Sequence, residues 1–267
     1  MADPMTDNAM LSARYHAAHG MALKLGETAL SYFGRTDALE ISMKGFQDWL
    51  TIADGTVERE FRAMIAEAFP GDAVMGEEQG GGASERLWII DPIDGTSNFA
   101  RGDRQWCVSI GFVLNGRPEL GLIHAPALGE MWLARRGGGA TLNGVPIRCS
   151  TNTDLRRSTI ECGWSTRRPT EEYLGIVTRL FAEGSSVKRS ASGALGVAHA
   201  ANGRTDGYIE THINSWDVAA GLVIAGEAGC RINAFCSGNW ITEGNPILVA
   251  APGIAEIVSR ESGIALA

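Results

Sequence analysis

The sequence has no long run of one charge, no CxxC pair and no membrane-length apolar stretch, and each absence removes a class of function. Lys and Arg number 23 against 31 Asp and Glu, a formal charge of -8. With no basic tract, nucleic acid and anionic membranes are not expected partners, because their phosphates would be repelled overall. The five cysteines, Cys107, Cys149, Cys162, Cys230 and Cys236, are an odd number at irregular spacing, which offers neither a zinc site nor a redox motif. They read as reduced structural thiols of a cytoplasmic protein; Cys230 and Cys236 are near enough in sequence for a disulfide only where the compartment is oxidising. His16, His19, His124, His199 and His212 show no HxxxH or HExxH spacing, and none is expected to bind metal. No apolar segment approaches the roughly 20 residues of a membrane span, and residues 1–10 are polar and acidic, unlike a signal peptide. Aromatic residues are sparse at 7%, and Trp49, Trp88, Trp106 and Trp132 are expected in the core or a subunit interface.

What is present is enough apolar residue, 45% of 267, to bury a substantial core. Apolar residues recur at helical spacing over 9–33 and again over 51–69, where Pro70-Gly71 stops the pattern; Asp48 and Asp54 flank the start of that second helix. Strands are predicted at 73–75, 87–90, 107–114 and 120–124, with hairpin turns at Asn115-Gly116 and Asn143-Gly144. Gly137-Gly138-Gly139 reads as a turn rather than a nucleotide loop. The first half, 1–150, is thus α+β, with helices on a largely antiparallel sheet. Beyond it the pattern alternates: strand 158–162, helix 171–181, strand 186–189, helix 193–201, strand 207–210 and helix 216–228. That alternation marks 151–267 as an α/β half. The seam near 150 divides one compact unit, with no repeat or linker.

The chemistry concentrates in acids. In Trp88-Ile89-Ile90-Asp91-Pro92-Ile93-Asp94-Gly95-Thr96-Ser97-Asn98-Phe99, an apolar strand delivers two carboxylates three residues apart beside a glycine turn. Hard oxygen ligands of this kind suit Mg²⁺. A helix starting near Gly95 would aim the Gly95 and Thr96 amides at a phosphate. The plainer reading is a surface turn with solvated acids. Gly76-Glu77-Glu78 adds adjacent carboxylates after a short strand. Asp217, at the start of an Ala/Gly-rich helix, reads as helix cap or metal ligand, and Asp54 as an acid favouring its helix dipole or as a site residue.

Gly76-Glu77-Glu78, the Asp91-to-Phe99 segment and Trp216-Asp217-Val218-Ala219-Ala220-Gly221, in this order and at these separations, resemble the signature segments of inositol monophosphatases. Lys44-Gly45-x-x-Asp48-x-x-Thr51-x-Ala53-Asp54 and Asn202-Gly203-Arg204-x-Asp206-Gly207-Tyr208-x-Glu210 extend the resemblance over about 10–255. It implies the layered α/β/α/β/α sandwich shared with fructose-1,6-bisphosphatase, a homodimer, and a lithium-sensitive, magnesium-dependent phosphoric monoester hydrolase. Two to three Mg²⁺ per subunit are implied: Glu77, Asp91 and the Ile93 carbonyl hold the first, Asp91, Asp94 and Asp217 the second, and Glu77 helps hold a third. Thr96, hydrogen-bonded to Asp54, would orient and deprotonate the attacking water, with Glu78 in support. Gly95 and Thr96 would bind phosphate; Ser192, Gly193 and Ala194 would line the pocket, and Glu210 would contact the alcohol.

The substrate implied is a small phosphorylated alcohol, inositol 1-phosphate foremost, with histidinol phosphate, fructose 1,6-bisphosphate and 3′-phosphoadenosine nucleotides as alternatives. Some bacterial relatives associate with transcription machinery, which makes a regulatory binding partner the reading from another class. The departures from the family pattern lie at Lys44, four residues before Asp48, at Asn214, and in the 163–168 loop. There Trp164, Arg167 and Arg168 could face the substrate, or the arginines could be solvated.

Overall fold

The helix predicted over 9–33 is helix α1 (Pro4–Tyr32) in the computed structural model, which describes residues 4–35, 42–45 and 48–267. Leu11, Ala18, Ala22, Leu25 and Ala29 form its buried stripe. Strands β1 (Ser42–Gly45) and β2 (Asp48–Leu50) pair antiparallel; the side chains of Lys44, Asp48 and Trp49 lie outside the described residues. Helix α2 (Ile52–Ala68) buries Val57, Phe61 and Ile65 at steps of four and ends just before Pro70, which cannot continue the ladder. Both helices cover one face of a sheet built from β3 (Ala73–Gly76), β4 (Arg86–Asp94), β5 (Cys107–Leu114), β6 (Arg117–Ala125), β7 (Glu130–Arg135), β8 (Gly139–Leu142) and β9 (Val145–Pro146).

These strands lie side by side in chain order, antiparallel except for the parallel β3–β4 pair. Asn115-Gly116 and Asn143-Gly144 make the β5–β6 and β8–β9 hairpin turns, each asparagine adopting positive φ (51° and 50°), as tight two-residue turns require. The strand predicted at 87–90 runs on to Asp94, so both acids of the signature belong to β4. Its pairing slips between Asp91 and Asp94, where Pro92 has no N–H to donate.

Among the described residues of the second half, the sheet order is β11-β10-β12-β14-β13, from β10 (Thr159–Cys162), β11 (Ser186–Lys188), β12 (Gly207–Ile213), β13 (Arg231–Ile232) and β14 (Asn245–Ala250). Beyond α1 and α2, the helices are α3 (Thr96–Ala100) in the first half and α4 (Thr170–Ala182), α5 (Gly193–Ala201), α6 (Ser215–Glu227), α7 (Trp240–Glu243) and α8 (Ala255–Ser262) in the second. Helices α5 and α6 lie between the sheets, in one cluster with Leu87, Ile89 and Ile123 from one side and Ile247 and Val249 from the other. Helices α4 and α8 close the far face, around Ile160, Leu180, Leu248 and Val258. The result is the five-layer helix–sheet–helix–sheet–helix sandwich. Trp88, Trp106 and Trp132 are wholly buried, and among the described residues all five cysteines are free thiols. The Gly137–Gly139 turn is closed by Glu227, whose carboxylate accepts the amides of Gly137 and Gly139 (2.8 Å each).

Helix α6 lies almost directly on the strands. Gly111 and Gly121 pair across β5 and β6, and a Cβ on Gly121 would overlap the Ala220 carbonyl oxygen, while one on Gly111 would come 2.8 Å from the Ala219 Cβ. Close approach requires glycine there. Gly121→Ala is therefore expected to cost about 3 kcal/mol by overpacking, seen as a lower denaturant midpoint. It should also displace Asp217, at the start of α6, and so weaken the protein's response to divalent cations.

Candidate active site

The acids meet where three element ends converge. Asp91 and Asp94 lie in the C-terminal half of strand β4, and Asp217 is the third residue of α6. Each offers an oxygen within 4.8 Å of the others', and the Asp91 and Asp217 carboxyls come within hydrogen-bonding reach. Asp217 is not the helix cap: Asn214 holds that position, and its backbone N–H donates to Asp217 Oδ2 (3.0 Å). Asp94 is held by the Ser192 hydroxyl and by the amides of Gly193 (3.2 Å) and Ala194 (2.8 Å). Ser192, Gly193 and Ala194 thus serve the carboxylate directly; Ser192 and Gly193 also line the cavity, whereas Ala194 is fully buried behind it.

Asp54 is likewise the third residue of its helix. Its Oδ2 accepts the Thr51 amide (2.9 Å) and hydroxyl (2.6 Å), while Oδ1 accepts the Thr96 hydroxyl (3.2 Å). That hydroxyl also reaches the Ile93 carbonyl (3.0 Å), and the Ile93 amide donates to Asp91 Oδ1 (2.9 Å). Gly95 caps α3 with φ of 95°. A Cβ there would meet the Gln105 carbonyl oxygen at 2.8 Å, so the turn that orients Thr96 needs a residue without one.

Around these groups is a cavity of about 230 Å³ lined by Glu77, the aspartates, Gly95, Thr96 and, from the second half, Trp164, Arg189 and Glu210. Glu77 is brought to the same cavity, and its charge reaches both Asp91 and Asp217. Glu78 stands near Asp54 and raises its pKa. Arg168 turns away to Glu172 (2.9 Å), whereas Arg167 and Arg189 act on Glu210.

Three contributors were not read from the sequence. Glu58, buried on α2, accepts the Glu78 (2.7 Å) and Gln79 (3.1 Å) amides and so fixes the turn carrying Glu77. The Cys107 thiol lies 3.7 Å from Asp94 Oδ2. Tyr208 donates its hydroxyl to Glu210 Oε2 (2.6 Å); the two-residue spacing on one strand, which puts both side chains on one face, was the available signal.

The sequence profile of the inositol monophosphatase family matches residues 10–262. The chain belongs to that family. It is 32% identical over 259 residues to the Nus factor SuhB of Haemophilus influenzae, covering 95% of this chain and 96% of that one. It is 38% identical over 212 residues to the fructose-1,6-bisphosphatase/inositol-1-monophosphatase of Thermotoga maritima, covering 79% and 81%. Among solved structures, the extragenic suppressor protein SuhB of Bartonella henselae superposes with a TM-score of 0.86 at 30% identity, covering 92% of this chain and 97% of that one.

The electrostatics of this inositol monophosphatase family member fit a cation. Burial, then the charges of Glu77, Asp94 and Asp217, holds Asp91 well above the usual carboxylate range; burial, then Asp94 and Glu77, does the same to Asp217. Asp94 is also raised by burial, against the pull of its Ser192, Ala194, Gly193 and Cys107 donors. A set of crowded oxygen donors that resists ionisation on its own is the chemistry a hard divalent cation relieves.

Burial also lifts Asp54 to about 6 and Glu210 to about 7. Carboxyls whose pKa is higher folded than unfolded bind more protons in the native state, so stability falls as pH rises between the two values. The metal-free protein should therefore melt at a lower temperature at about pH 8 than at about pH 5. Added Mg²⁺ should raise the melting temperature most at the higher pH; a flat profile with no Mg²⁺ response would contradict this account of the site.

Proposed function

We propose that this chain hydrolyses a small phosphate monoester, inositol 1-phosphate foremost, with water as the nucleophile. The observation that carries the proposal is the convergence of Asp91, Asp94 and Asp217 beside a Thr96 hydroxyl bonded to Asp54. Asp91, Asp94, Asp217, Glu77 and the Ile93 carbonyl would hold Mg²⁺. When bound, the ions supply positive charge that offsets the phosphate's own and makes water more acidic.

The remaining work falls to the chain's own residues. The Gly95–Thr96 turn borders the cavity and orients the phosphate. Thr96 Oγ1 positions the water and passes its proton to Asp54 Oδ1. A carboxylate near pKa 6 is mostly ionised at neutral pH yet basic enough to take that proton.

Glu210 lines the far end of the cavity and faces the alcohol. Its Oε2 is held by Tyr208, and both Arg189 and Arg167 act on it. A ring hydroxyl can donate to this carboxylate without penalty, whereas an ammonium would approach two like charges as well as one unlike one. This supports a neutral polyol over an amino alcohol such as histidinol phosphate. The Thermotoga relative's double name keeps fructose 1,6-bisphosphate as an alternative, and 3′-phosphoadenosine nucleotides follow. A regulatory role with transcription machinery is supported by the name Nus factor carried by the Haemophilus relative; in that case a metal-site variant would keep its cellular effect.

Phosphate release with Mg²⁺ from inositol 1-phosphate, histidinol phosphate, fructose 1,6-bisphosphate and 3′-phosphoadenosine 5′-phosphate tests the proposal. The expected result is the highest kcat/KM on inositol 1-phosphate; no release from any, with cation bound, would overturn it. Asp94→Asn should abolish turnover while the far-ultraviolet circular dichroism spectrum is unchanged. Asp54→Asn should lower kcat by about 10²-fold or more while Mg²⁺ binding, followed by calorimetry, stays near wild type.

A further inference from the structure

Glu161 borders the catalytic cavity, is only 1% exposed and has no part in the chemistry above. It lies on β10, in register with Lys188 of β11 on one side and Tyr208 of β12 on the other. A carboxylate so buried needs strong partners, and it has them on one residue above all. Its Oε1 accepts both the Ser190 amide (2.9 Å) and the Ser190 hydroxyl, while Oε2 faces the Lys188 ammonium at 3.1 Å. The Ser190 carbonyl is taken by Asn98 Nδ2 (2.7 Å), which also holds the Gln105 carbonyl (2.7 Å). Every polar group of Ser190 is thereby fixed from outside its own turn.

The next residue shows why such a grip is needed. Ala191 has φ of 61°, a left-handed conformation that a Cβ disfavours, and such strain persists only where the surroundings over-determine it. Directly after it come the Ser192 hydroxyl and the Gly193 and Ala194 amides, three of the donors on Asp94. If Ala191 relaxed, those donors would turn away from the carboxylate they orient.

We propose that Glu161 is a positioning residue: by clamping Ser190 it holds Ala191 left-handed and so aims the Ser192–Ala194 donors at Asp94. The inference rests on the reading of Asp94 as a cation ligand. It assigns Glu161 no contact with substrate or cation; its effect passes through the turn.

The test uses the full-length protein and two readouts, Mg²⁺ binding by titration calorimetry and steady-state phosphate release. Glu161→Ala should weaken Mg²⁺ binding and lower kcat, each by about tenfold, as loss of support behind a ligand does, with little change in KM. Glu161→Gln keeps an oxygen for the Ser190 amide and hydroxyl and should recover most of both. Ser190→Ala, which loses one of the two bonds, should fall between, and it carries the comparison if Glu161→Ala does not fold.

Unchanged Mg²⁺ binding in Glu161→Ala, or in Ser190→Ala where that variant stands in for it, would overturn the proposal. So would equal impairment of the alanine and glutamine variants, since that would trace the effect to charge and not to the clamp. If the wild type released no phosphate from any substrate, the proposed function would fall while the calorimetric comparison still decided the role of Glu161.

Discussion

Three carboxylates with oxygens within 4.8 Å of one another, two buried and the third half-buried, set the terms on which this molecule folds. At an effective dielectric of about 20, each ionised pair at that separation repels by about 3 kcal/mol. Three pairs together oppose folding by about as much as the whole stability of an ordinary domain. Either protons or cations must relieve that repulsion, and the burial that raises Asp91 and Asp217 favours their protonated forms where no cation is bound. The backbone is arranged accordingly. Strand β4 loses its ladder at Pro92 where the acids begin, and Asp94 gathers three donors from a different half of the chain.

The same economy explains Asp54 and Asp217. For each, helix-end stabilisation and site chemistry look like competing explanations in the sequence, but a carboxylate has two oxygens and the fold uses them separately. Oδ2 of each accepts the backbone N–H three residues earlier, at Thr51 and at Asn214, satisfying a donor that a helix N-terminus leaves open. In Asp54 the other oxygen receives Thr96, and Asp217 belongs to the acidic cluster while so anchored. An acid that completes a capping box makes a good site residue because that bond fixes the side chain before any ligand arrives.

What was legible in the sequence follows the reach of the interactions. Helix α5 was readable at its observed limits, and the alternating pattern of the second half was readable as far as α6, because periodicity is local; β14 and α8 beyond it were not read. The short strands β13 and β9, two residues each, leave no period to read, and α7 is a single turn. Within the site, the acids of the Asp91–Asp94 signature declare themselves by spacing. Glu58 and Glu161 do not: their partners lie 20 and 29 residues away at Glu78 and Ser190, and nothing in the intervening sequence encodes the contact. Both sit on elements whose sequence otherwise reads as ordinary helix or strand, where an isolated glutamate is taken for a solvated residue until burial shows otherwise.

A cation that binds only the folded chain stabilises it by an amount set by its concentration over its dissociation constant, about 2.7 kcal/mol at a hundredfold excess. That is close to the repulsion of one carboxylate pair, so the stability and the proposed chemistry draw on one interaction. Removing any single acid of the cluster eliminates two of its three mutual repulsions, which favours the cation-free fold, and removes a ligand of the proposed cation, which would disfavour the proposed catalysis. Stability and activity are thereby set against each other at Asp91, Asp94 and Asp217 in a way they are not at Gly121, where substitution harms both. A scaffold that only had to present a surface would gain by losing those charges. A site that has to gather cations around a phosphate has a use for every one of them, and the donors spent on Asp94 orient the carboxylate at the cost of making it a weaker base, which suits a ligand better than a proton acceptor.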